Sequence, residues 1–160
     1  MRYMKTKLLF LGAGALAIPL TATAPAIGSG LHFYQNQTPV ISVNGNTVNA
    51  TGQVAGAGTS IVADLTVNYT FPVSCFNPGK SAGPVPGQSG SGSVTTPPQV
   101  IQAVHGNASF NISATITPTA PNKACPNKSW VATVGPVTVT SATVEINSSN
   151  GGFLTYTKTF

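Results

Sequence analysis

The side chains able to carry out acid–base, nucleophilic or metal chemistry are few in this sequence. Outside the first 26 residues the carboxylates, imidazoles and thiols on which most such sites are built reduce to Asp64 and Glu145, His32 and His105, and Cys75 and Cys125. A hydrolytic triad would join a histidine to a carboxylate and a serine. Asp64 falls on the polar side of a strand pattern, and no strand-to-helix nucleophile turn is legible. Asp64 and Glu145 are the bare minimum for glycoside chemistry, which needs two carboxyl groups flanking one bond. Gly79-Lys80-Ser81 resembles the end of a phosphate-binding loop, but Ser74 stands where the first glycine belongs and no helix pattern follows. A copper site wants methionine beside histidine and cysteine, and both methionines, Met1 and Met4, lie at the extreme N-terminus. The expectation is no enzyme, no cofactor and no metal.

One motif does recur. Asn-x-Ser/Thr, the acceptor sequence for N-linked sugars, occurs seven times, at Asn36, Asn49, Asn68, Asn107, Asn111, Asn127 and Asn147. Chance pairing in a chain this rich in Asn, Ser and Thr gives about three. Asn68, Asn107 and Asn111 fall on the polar sides of the two clearest strand patterns, where a sugar meets no packing conflict.

The N-terminus sets the expected compartment. Arg2, Lys5 and Lys7 precede the uncharged run Leu8 to Leu20, and small residues follow up to Ala24-Pro25-Ala26. This is the layout of a secretory signal peptide, cleaved after Ala26. The apolar run is too short to span a bilayer comfortably, so membrane contact is expected only during export. In an exported chain two cysteines default to one disulfide, Cys75–Cys125. Closing a loop of that length stabilises by roughly 4 kcal/mol on the chain-entropy model.

Removal of the leader also removes Arg2, Lys5 and Lys7, and with them most of the net charge of +5. Lys80, Lys123, Lys128 and Lys158 remain against Asp64 and Glu145. No basic patch survives to bind nucleic acid. Soluble domains usually carry about a quarter charged residues, against 6% here, so hydroxyls, amides and sugars must keep this surface wet. Acid unfolding works mainly through carboxylates, so a chain with two of them is expected to tolerate low pH.

Period-two patterns then supply the scaffold. Ile61, Ala63, Leu65, Val67, Tyr69 and Phe71 share one side of a strand; Asp64, Thr66, Asn68 and Thr70 share the other. Asn107 to Thr117 repeats the pattern, with Ala108, Phe110, Ile112, Ala114 and Ile116 on the apolar side. Weaker strands are read at Pro39 to Val43, Thr47 to Thr51, Gln99 to Val104, Trp130 to Val134, Val137 to Thr140, Thr143 to Ile146 and Phe153 to Thr159. Turn signals such as Asn44-Gly45, His105-Gly106 and Asn150-Gly151-Gly152 separate them. Asn77 to Ser93, rich in Gly, Pro and Ser, reads as a mobile surface loop. The expectation is an all-β, immunoglobulin-like or pilin-like antiparallel β-sandwich over residues 44–160, with 1–26 as signal peptide and 27–43 as an N-terminal arm.

That arm alternates Leu31 and Phe33 with His32, behind the flexible root Gly28-Ser29-Gly30. Such a segment can add to its own sheet or to an open groove on another copy. Together, the basic-start leader, low charge, dense sequons, Thr/Val/Asn-rich strands and N-terminal arm resemble the archaeal thread filament subunits, which are similar in architecture to type I pilins. The resemblance covers the whole chain in style and rests on no diagnostic motif. It implies an extracellular, glycosylated subunit of a surface filament. Its donor strand, carrying Leu31, Phe33, Val40, Ile41 and Val43, would fill the next copy's groove, and the partners would be copies of itself and N-linked glycans. The alternative is a monomeric secreted binding, adhesion or cell-envelope domain.

Overall fold

The computed structural model describes residues 30–79 and 83–160. The expected leader, the root residues Ile27 to Ser29 and Lys80 lie outside the described residues. In chain order the strands are β1 (His32–Phe33), β2 (Val40–Asn44), β3 (Thr47–Ala55), β4 (Ser60–Phe71), β5 (Val73–Phe76) and β6 (Val85–Pro86). They continue as β7 (Gly90–Thr95), β8 (Gln99–Gln102), β9 (Asn107–Thr115), β10 (Val131–Val134), β11 (Thr138–Ser148) and β12 (Phe153–Thr159). The all-β antiparallel architecture expected from the alternating patterns is what forms.

Nine of the strands make two packed layers, and β10, β5 and β6 form a third, three-stranded sheet. In the first, β9 runs along the whole of one edge of β3. A strand has only two edges, so β1 and β2 share the other: β2 pairs with Thr47–Thr51 and β1 with Val54 and Ala55. In the second layer β11 runs along β4 and closes a hairpin with β12. The far edge of β4 is shared by β7 and β8. Between those two, Thr96 covers the gap: its backbone N–H donates to the Leu65 carbonyl, and its Oγ1 accepts from the Leu65 N–H, each at 3.0 Å. Val48, Val54 and Ile112 from one layer meet Ile61, Leu65, Val144 and Ile146 from the other in one closed core, all at 0% exposure.

Three segments differ from the sequence reading. Val137 to Thr140 and Thr143 to Ile146 are one strand, β11, with a bulge between Val139 and Ser141. The extra residue, Thr140, shifts the parity, so Val139 and Ala142 both point inward although they are three apart. Asn77 to Ser93 is not a single loop: β6 pairs with β5, and the segment ends in β7 against β4. Its glycines explain this. A Cβ on Gly92 would lie 2.6 Å from the Tyr69 hydroxyl, and one on Gly90 would strike the Phe71 ring, so the neighbouring rings lie where β7 has no side chains. Finally, β4 continues past Pro72 as β5, and β10 pairs with β5 beyond Gly135-Pro136. The Gly135 N–H donates to the Pro72 carbonyl at 2.9 Å and carries the ladder across the proline pair. A second small core of Phe71, Val73 and Ala124 fills this extension, and the Cys75–Cys125 disulfide, with Cα atoms 5.6 Å apart, staples it.

Candidate functional site

The arm residues divide into two groups. Leu31 is 9% exposed, and the half-buried Phe33 packs edge-on against Tyr156 with ring centroids 6.2 Å apart. Both therefore complete the core of their own chain. Ile41 is buried as well, while Val43 and Val40 are exposed, Val40 at 67%. What ties the groups down differs. β2 is joined to β3 by the two-residue turn Gly45-Asn46, with Gly45 at φ 58° as such a turn requires, and pairs over its five residues. β1 contributes only two pairs, His32 with Ala55 and Phe33 with Val54. Between β1 and β2 lies a turn from Tyr34 to Pro39 in which Gln35 and Asn36 both adopt left-handed backbone, φ 53° and 58°. Across the layer boundary, the Lys158 ammonium donates to the Ile41 carbonyl at 2.8 Å and lies over the Phe160 ring.

The sequons fall into different settings. Asn68 and Asn111 are exposed on outward strand faces, as expected, and Asn107 is half-buried at the start of β9. Asn49 is half-buried on β3, and its Nδ2 donates to both Asn111 Oδ1 and Ser113 Oγ at 2.8 Å. Asn68 Nδ2 donates to Ser141 Oγ at 3.1 Å. Asn36 sits in the turn after β1. Asn147 is exposed on β11 directly opposite Phe153, itself 56% exposed. Asn127 lies in the long connection between β9 and β10.

Of the residues weighed for catalysis, only Asp64 and Glu145 are brought together, and neither histidine joins them. His105 occupies a hairpin turn at φ 51°, His32 is on the exposed side of β1, and Asp64 and Glu145 are paired on the outer face of the second layer. Among the described residues no group of three or more His, Cys, Asp or Glu is placed to hold a metal ion. No described helix is long and apolar enough to cross a membrane. One feature escaped the sequence reading: a cavity of about 590 Å³ lined by Asn127, Trp130, Lys123 and Lys128 beside the disulfide. Its only signal was a tryptophan directly after the Asn127-Lys128-Ser129 sequon. No protein-family model matches the chain, and no curated protein matches it.

Proposed function

We propose that this protein is an extracellular, glycosylated structural subunit of a surface filament, in which the N-terminal arm of each copy completes the first layer of the next. One observation carries the reading: β1 and the residue before it supply the half-buried Phe33 and the buried Leu31 to the core, yet only two backbone pairs and a left-handed turn hold this segment there. An identical segment from another copy would make the same pairs and bury the same side chains, so exchange costs little beyond association itself. Each copy then gives one arm and receives one. Because the contact is head to tail, it builds a fibre. The tight hairpin ties Val40, Ile41 and Val43 to β3, so on this reading the exchanged part is the segment before the Tyr34–Pro39 turn. The low charge, the sequons and the resemblance to archaeal thread subunits support the same reading.

The pairing of β1 with its own β3 favours a second reading, a self-complete monomeric surface domain. A cross-link separates the two. His32→Cys and Ala55→Cys, made together, place thiols at directly opposed positions. Both native cysteines are already bonded, so they do not interfere. In surface material from cells, oxidation is expected to give a ladder of covalent multimers on a non-reducing gel. Deletion of 27–38 is expected to leave single globules, with no fibres, in negative stain. A cross-link formed only within single chains would overturn the filament reading and leave the monomeric one.

A further inference from the structure

The cavity beside the disulfide is unlike the rest of the surface. Trp130, the only tryptophan, is half-buried in its wall, and Lys123 and Lys128 also line it. Asn127, a sequon asparagine, also lines the cavity. The Trp130 N–H donates to the Asn127 carbonyl at 3.1 Å, so 127–130 close a turn. Such a turn holds its end Cα atoms within about 7 Å of each other. Inside it, Asn127 Oδ1 accepts from the Ser129 N–H and the Ser129 hydroxyl, each at 3.1 Å. Those bonds fix the amide by its oxygen, and Nδ2 has no protein partner among the described residues. Asn49 is the opposite case: its Nδ2 donates to two acceptors, and a glycosidic bond would take one of the hydrogens they use.

We propose that Asn127 carries a saccharide whose first ring rests on Trp130 and fills this cavity, with Lys123 and Lys128 donating to its oxygens. The inference rests on the reading of the chain as a glycoprotein, and it says which sequon the fold is built to serve. A sugar ring presents C–H groups on its face and hydroxyls at its rim. An aromatic platform flanked by cationic donors matches both. Attachment uses a glycosyl phosphate donor and a separate transferase. Nδ2 forms the bond to the anomeric carbon, the bond from that carbon to the phosphate oxygen breaks, the phosphate leaves with the electron pair, and one amide proton passes to base. Asn127 keeps one N–H, and its Oδ1 contacts are untouched.

The test uses native, exported protein. Glycopeptide mass spectrometry is expected to find Asn127 occupied and Asn49 bare. Ser129→Ala removes the sequon and keeps the backbone hydrogen bond. It is expected to lose the mass of one glycan, shift the emission of the lone tryptophan to the red and open it to acrylamide. Ser129→Thr retains the sequon and should keep both the mass and the shielded emission. Stripping the sugars chemically from the unaltered protein should reproduce the red shift. A bare Asn127 beside other occupied sequons overturns the inference and leaves the glycoprotein reading intact. So does loss of an Asn127 glycan with no change in Trp130 emission or quenching, and so does an occupied Asn49. A bare polypeptide mass throughout removes both.

Discussion

Asp64 and Glu145, the only acidic side chains in the chain, stand directly opposite each other on adjacent strands, β4 and β11. They share the outer face of the second layer, where threonines otherwise dominate: Thr95, Thr66, Thr143 and Thr157 form a row across four strands, with hydroxyl contacts of 2.9 Å at both ends. Opposed like charges destabilise a sheet, whereas opposed hydroxyls support it. Neutralising either carboxylate at pH 7 and low salt is therefore expected to stabilise the fold by a few tenths of a kcal/mol. Calorimetry of Asp64→Asn, Glu145→Gln and the double variant checks this. The second substitution should add less than the first, because the repulsion is already gone. Equal and additive effects would mean that the two side chains do not interact.

At the scale of strands, legibility followed side-chain alternation. β4 and β9 could be read because every second residue is apolar, and the same residues prove buried except Tyr69, which is half-buried. β7 could not, since it opens Gly-Ser-Gly-Ser and Val94 is its one inward side chain, too few to show an alternation. The rest of its inward volume is supplied by Tyr69 and Phe71 from the neighbouring strand, a relation no single-strand pattern contains. The split reading of β11 failed for a related reason: one bulged residue reverses the parity of everything after it. The arm was legible as a strand, but its sequence is equally suited to its own sheet and to a neighbour's. The Trp130 cavity was invisible because it arises from a turn and a disulfide, neither of which has a period. An expected outcome follows for β7. Gly92→Ala places a methyl against the Tyr69 ring and should cost roughly 1–3 kcal/mol in urea unfolding. Gly83→Ala, with nothing within 4 Å among the described residues, should be silent.

For the molecule as a whole, the scarcity of ionisable groups governs its response to pH. Acid unfolds most domains by discharging carboxylates that the folded state needs. Here the two carboxylates lie on an outer face, Glu145 exposed and Asp64 half-buried, away from the closed core. The strand signal in circular dichroism and the thermal midpoint are expected to persist from neutral pH to about pH 2, well below ordinary carboxylate values. A cooperative acid transition near pH 4 would contradict this account. Hydroxyl and amide contacts between strands, and one covalent staple, are what remain to hold the surface of the fold together. That staple joins Cys75 to Cys125 across a stretch that contains β6, β7, β8 and β9. A protease that nicks the chain once anywhere inside that stretch therefore releases nothing: the severed pieces stay one molecule until a reductant reaches the sulfurs.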